Sequence, residues 1–253
     1  MLTDSHTHLY SEQFNDDRDA VIKRANTAGV HRFFIPAIDS SYTTAMFDLE
    51  NRYDNMFLMM GLHPTSVGEN YLEELQHVKM WIDKRKFYAI GEIGIDLYWD
   101  NTFLTQQQEA FKQQIAWAKE KKWPVVIHCR NSFDEIFEVL DEVADDNLYG
   151  IFHCFTGTYE QAQKALSFNM KLGIGGVVTF KNGKIDHFLN KIDPKNIVLE
   201  TDSPYLAPVP YRGKRNESSY LTLILEKLSI IYNLKPEKLA EITTQNTKDI
   251  FGI

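Results

Sequence analysis

Asp4, His6 and His8 stand two residues apart in "LTDSHTHLY" (2–10), a run with the alternation of a strand. Alternate strand positions share a face, so three polar side chains look out together from a surface expected to be buried. Further single polar residues interrupt apolar, β-branched runs: Glu92 in "YAIGEIGID", His128 in "PVVIHCR", His153 in "YGIFHCF" and Asp202 in "IVLETDS". An isolated histidine in an apolar strand is usually a hydrogen-bonded core residue. Four histidines and two acids at comparable positions fit that reading poorly, since burying six unpartnered polar groups would cost several kcal/mol each. A metal centre satisfies them together. One ion takes three or four protein ligands with a position open for water. Six ligands suit two ions roughly 3.5–4 Å apart. Imidazole with carboxylate suits Zn, Mn or Fe, and with enough carboxylate and water also Mg, whereas a structural zinc site would use cysteines close in sequence. Two divalent ions, two carboxylates and one hydroxide leave a formal charge of about +1, which attracts an anion such as a phosphodiester. Such a centre lowers the pKa of a water and clamps the attacking and leaving oxygens.

Those residues need a scaffold that brings strand ends together. Strands are expected at 2–8, 32–38, 55–63, 88–96, 124–130, 149–155, 170–178 and 197–203. Helical patterns lie between them. Residues 105–122 carry Phe111, Ile115 and Ala118 on one face, and 132–146 open with Ser132 and Glu135 spaced as a capping box. Two more helices are expected at about 217–232 and after Pro236, which suits a first turn. Eight strands alternating with helices specify a parallel sheet, and eight such units close into a (β/α)8 TIM barrel, here a single domain over 1–253. An open doubly wound sheet would carry a glycine-rich phosphate loop after its first strand; "HLYSEQFNDD" has no glycine. In a barrel the C-terminal strand ends share one mouth, where His6, His8, Glu92, His128, His153 and Asp202 would meet.

The bulk properties narrow the function class. The chain has 253 residues, 43% of them hydrophobic and 25% charged, as in a soluble globular protein. Its net charge of −8 argues against a protein that coats nucleic acid non-specifically. An enzyme acting only on a strand end can be acidic if its cleft is locally positive. Two cysteines, Cys129 and Cys154, imply no disulfide framework and fit a reducing cytoplasm. No signal peptide, membrane-spanning run or obligate protein partner is evident.

"TDSHTHL", "GEIGID", "PVVIHCR", "HCF" and "VLETDSP", with "RGKRN" and the closing "TTQNTKDIFG", resemble the TatD family of metal-dependent deoxyribonucleases. The resemblance runs in one order from residue 2 to about 251 and implies a barrel with a two-metal hydrolytic centre, the ions being Mg, Mn or Zn. By motif, His6 and His8 would bind one ion with Asp202, Glu92 would bridge both, and His128 and His153 would hold the second. Asp202 would also take the proton of the attacking water. Related amidohydrolase barrels often bridge their metals with a carbamylated lysine on the fourth strand; Glu92 stands there instead. The sequence departs from the family pattern at Tyr10, where Asp or Asn is usual, at Thr65, where a second histidine is common, and at Ser218 in "RNESS", where "RNEP" is usual.

Arg130 shares the inward face with His128 and can take a phosphate through its fork. His63 ends the third strand in the family's "HP" turn, and Arg212, Lys214 and Arg215 follow the eighth, where barrels often bind phosphate. His63, Arg130 and Arg215 are read as substrate contacts. Tyr98, Trp99, Phe180 and Tyr205 can stack on bases, although such residues more often pack. Asp4 and Glu200 can orient ligands from behind. Cys129 and Cys154 are expected to face the helices, and His31, His77 and His187 the surface.

The leading expectation is a nuclease that hydrolyses DNA phosphodiesters from an unpaired or frayed end, because a barrel mouth is too narrow for a duplex. The alternative keeps the centre and changes the bond to a carboxyl ester or amide, such as the aminoacyl ester of transfer RNA. A non-catalytic binding barrel would be expected to lack ligands, and all six positions are intact.

Overall fold

The computed structural model describes residues 1–253. Its elements follow in order as β1 (Leu2–Asp4), α1 (Arg18–Thr27), β2 (Val30–Ile35), α2 (Thr43–Arg52), β3 (Met56–Leu58), α3 (Tyr71–Lys84), β4 (Ile90–Asp96) and α4 (Leu104–Lys121). The second half continues with β5 (Val125–Arg130), α5 (Phe133–Val143), β6 (Gly150–Phe152), α6 (Tyr159–Ser167), β7 (Met170–Ile174), β8 (Ile197–Leu199), α7 (Leu221–Tyr232) and α8 (Pro236–Phe251). All strand pairs are parallel, in the orders β1-β2-β3 and β4-β5-β6-β7-β8. Two parallel bridges, Met60 with Ile90 and Thr7 with Ser203, join those sheets into the (β/α)8 barrel.

Several strands are shorter than the alternation predicts. Polar–apolar alternation continues past Asp4, Phe152 and Leu199, but there the chain leaves the regular ladder and carries side chains into the mouth. Backbone bonds still hold those extensions: His8 N donates to Ser203 O at 2.7 Å and Asp202 N to His6 O at 2.9 Å. No α-helix follows β7. Short 3-10 turns at Gly176–Thr179, Ile185–His187, Leu189–Lys191 and Pro194–Asn196 fill that connection. Gly175, Gly176, Gly183 and Pro194 break any longer helix there.

The capping box expected at Ser132 does not form: the Ser132 hydroxyl donates to Ile95 O at 2.6 Å, tying α5 to β4 instead. A capping box does open α6, between Thr158 and Gln161. Gly94 in β4 faces His128 in β5, and a Cβ there would lie 2.0 Å from His128 O. Only glycine allows the strands this approach.

The barrel's lower interior is apolar. Phe34, Met59, Ala89, Val126, Ile151 and Val198 pack with Ile250 and Phe251 of α8, which plugs the barrel; the Phe251 and Phe34 rings stack at 3.8 Å. A larger cluster fills the space between strands and helices. Val126 and Ile151 precede His128 and His153 by two residues, so the inward face that packs a core low in the barrel presents imidazoles at the top. No helix is long and apolar enough to cross a membrane.

Candidate metal centre

Glu92 is the hub of the mouth. It is buried, and its two oxygens face different imidazoles. Oε2 lies 3.1 Å from His6 Nε2 and 3.7 Å from His8 Nε2. Oε1 lies 2.7 Å from His128 Nδ1, 2.9 Å from His153 Nε2 and 3.1 Å from His63 Nε2. Asp202 Oδ1 completes the first side, 3.4 Å from His8 Nε2 and 3.8 Å from His6 Nε2. The structure thus gathers all six residues expected from the sequence, and His63 with them. Burial alone would raise the Glu92 carboxyl, yet His153, His63 and His6 around it hold it well below its ordinary value. Burial lowers His6 and His63 from the ordinary imidazole value.

Behind the rings stand partners that fix them. Asp96 Oδ2 accepts from His128 Nε2 at 2.8 Å, which turns the Nδ1 lone pair toward the centre. Asp96 Oδ1 also takes the amides of Tyr98 (2.9 Å) and Trp99 (3.2 Å). Sequence reasoning passed over Asp96, although it shares the face of Glu92 four residues on. Glu200 Oε1 lies 3.3 Å from His153 Nδ1 and accepts the Cys154 amide. It fits only because Gly173 has no side chain, since a Cβ there would lie 2.2 Å from Glu200 Oε2. Asp4 does not back a histidine ring. Its carboxyl, pushed up to about 7 by burial, takes the Thr201 amide and hydroxyl at 2.9 and 2.6 Å and locks β1 to the end of β8.

His63 differs from its neighbours. Its Nδ1 accepts the Thr65 amide at 3.1 Å, so the proton sits on Nε2 and points at Glu92 Oε1. His63 therefore presents a donor to the centre, not a lone pair.

The donor set suits divalent cations. His6, His8 and Glu92 offer ligand atoms within 4.8 Å of one another, as do His6, His153 and Asp202. Imidazole nitrogens mixed with carboxylate oxygens match a borderline divalent ion better than a soft one. Without a cation, the carboxylates of Glu92 and Asp202 would have only histidines to balance them in a buried site.

The family model described as "TatD related DNase" matches residues 3–252. The chain belongs to the TatD family. An "uncharacterized metal-dependent hydrolase YabD" of Bacillus subtilis is 37% identical over 254 residues, covering 100% of both chains. The "3'-5' ssDNA/RNA exonuclease TatD" of Salmonella typhimurium is 29% identical over 258 residues, covering 100% of this chain and 99% of that one. The crystal structure of YJJV, a TatD homolog from Escherichia coli K12, superposes with a TM-score of 0.89 at 26% identity, covering 100% of this chain and 98% of that one.

Within the TatD frame, the three departures have structural partners. The Tyr10 hydroxyl lies 2.8 Å from His8 Nδ1. Thr65 Oγ1 lies 2.6 Å from His63 Nδ1. Ser218 is buried, its hydroxyl 3.5 Å from Thr7 Oγ1 beside the β1–β8 junction. Above the centre opens a cavity of about 810 Å³ whose wall includes Arg130, Arg212 and Lys214. Arg215 is not brought there. Its guanidinium forms a two-pronged pair with Asp17 at 2.7 and 2.8 Å, because Asp17 at the start of α1 lies beside this loop. Cys154 departs from expectation, half-buried at the cavity wall, whereas Cys129 packs against the core between strands and helices as expected, while also bordering the cavity.

Proposed function

We propose that this chain is a metal-dependent hydrolase that cleaves phosphodiester bonds of DNA, working inward from an unpaired end. One observation carries the reading: the two oxygens of Glu92 divide the nitrogens into two sets, His6 and His8 against His128 and His153. His6, His8, Glu92 and Asp202 would hold one divalent ion, and Glu92, His128 and His153 a second. When bound, Mg, Mn or Zn would acidify a water and offset charge on the phosphate oxygens.

The remaining steps belong to the protein. Glu92 and Asp202 keep the centre from carrying excess positive charge. Asp202, near the cavity floor with its side chain 13% exposed, takes the proton of the attacking water. His63 Nε2–H holds a non-bridging phosphate oxygen, and Asp96 and Glu200 keep the rings of His128 and His153 from turning. Arg215 has no such role, being held by Asp17. A DNA end is favoured over a duplex interior because the donors lie at the bottom of a walled cavity.

The test is cleavage of end-labelled single-stranded DNA by protein loaded with Mg, Mn or Zn. Progressive shortening that disappears in His128→Ala supports the reading. Turnover of an aminoacyl ester with no shortening of DNA would overturn the phosphodiester assignment while leaving the centre intact.

A further inference from the structure

Most arginines in this chain have a partner. Arg24, Arg52, Arg85 and Arg215 are in ion pairs, Arg18 donates to backbone carbonyls, and Arg32 contacts Met1. Arg130 and Arg212 have neither an acidic partner nor a side-chain hydrogen bond, and both line the cavity above the centre. Each lies instead over an aromatic ring. Arg130 Cζ is 3.8 Å from the Tyr98 ring centre and 5.3 Å from that of Trp99, and Arg212 Cζ is 4.5 Å from that of Phe180. Tyr98 and Trp99 follow β4 and Arg130 ends β5, whereas Phe180 follows β7 and Arg212 follows β8. With the strands in sequential order around the barrel, the two pairs stand on different sides of the mouth.

A guanidinium stacked on a ring has one face covered and its N–H edge free, the edge that grips a phosphate in two-pronged fashion. Trp99 is 69% exposed and Tyr98 53%, a large apolar surface for an acidic protein to leave in water. Free cationic edges beside open aromatic faces suit a ligand that alternates anions with flat rings, and a single nucleic-acid strand is such a ligand.

We infer that Arg130 with Tyr98 and Trp99, and Arg212 with Phe180, form two nucleotide subsites flanking the metal centre. Each guanidinium edge takes the phosphate of one nucleotide, and the open face of Trp99 stacks a base. The inference rests on the nuclease reading, and it adds a span: the strand crosses the mouth and is held on both sides of the bond at the centre.

Binding measured without catalysis tests it. Fluorescence anisotropy of a labelled single-stranded oligonucleotide, with metal chelated, gives affinity and salt dependence. Trp99→Ala should weaken binding roughly tenfold, and Trp99→Phe should restore most of it. Arg130→Gln and Arg212→Gln should each weaken binding and each lower the salt slope by about 1. Arg212→Lys should keep the slope but not the full affinity, because lysine lacks the fork. Unchanged melting temperatures would exclude unfolding as the cause. Wild-type protein that binds the strand but never cleaves it would support the subsites and overturn the nuclease reading. Wild-type protein that cleaves DNA while all these variants bind as tightly would overturn the subsites alone.

Discussion

The Tyr10 hydroxyl lies 2.8 Å from His8 Nδ1, on the side of the ring away from Glu92 and Asp202. The family tends to have a carboxylate or amide at this position. Here a buried phenol serves, its ring against Tyr42 and its hydroxyl, made hard to ionise by burial, a neutral partner. Such a partner fixes the ring without adding charge. Tyr10→Phe keeps the packing and removes the oxygen, so metal affinity at the His6–His8 side should fall about 10–100-fold, as is usual when a ligand's backing partner is lost. Tyr10→Asp should retain more of it. Calorimetric titration of apoprotein with Mn or Zn reads both, and wild-type affinity in Tyr10→Phe would refute the role.

Asp96 is expected to be more sensitive. One oxygen must accept from His128 Nε2 while the other accepts from the amides of Tyr98 and Trp99. An asparagine has one oxygen and one donor, so either orientation sets a donor against a donor. Asp96→Asn should therefore release either His128 or the loop, and lower metal affinity on the His128–His153 side about 10–100-fold. Metal content after dialysis, by atomic emission, checks it.

Gly173 offers a steric test. A methyl there would overlap the Glu200 carboxylate, which is buried and held by the Cys154 amide. Gly173→Ala should cost about 1–3 kcal/mol of stability by overpacking. It should also move Glu200 off His153 and weaken metal binding. Adding Glu200→Ala to Gly173→Ala opens the space again, so the two effects on stability should be non-additive. Urea denaturation of the single and double variants decides this, and strict additivity would show that the two side chains do not compete for the space.

Much of this centre could be read from the sequence because a strand has a period of two. Once His6 and His8 mark the inward face, Glu92, His128, His153 and Asp202 follow as lone polar residues in apolar runs. The same period overextended the strands, since alternation continues past Asp4, Phe152 and Leu199 after regular pairing ends. Asp96 was hidden for the opposite reason. It shares the face of Glu92, but nothing local shows that His128 lies across from it. Arg215 was misjudged because its partner, Asp17, lies just before α1, far away in sequence. No α-helix follows β7, where the glycines and Pro194 leave only short turns. Long-range pairing, not composition, decided the places of Asp96 and Arg215.

The same loop gives a stability prediction with a defined sign. Glu217 is buried and accepts from Arg24 Nε at 2.9 and 3.2 Å and from Nη2 at 2.5 Å, which ties the turn before α7 to α1. Burial alone would raise its carboxyl, but the Arg24 hydrogen bonds and charge, with the Ser219 hydroxyl, hold it below the ordinary 4.5. A carboxyl depressed in the folded state binds protons more readily in the unfolded one. Its contribution to stability is therefore whole above pH 4.5 and is lost as pH falls through the lower folded value. Glu217→Gln should lower stability near neutral pH by about 1 kcal/mol, modest because Arg24 stays half exposed. The gap from wild type should then close as pH falls below the ordinary carboxylate value. Urea midpoints measured across that range check it, and a gap that stays constant with pH would show that the Arg24 pairing does not carry the effect.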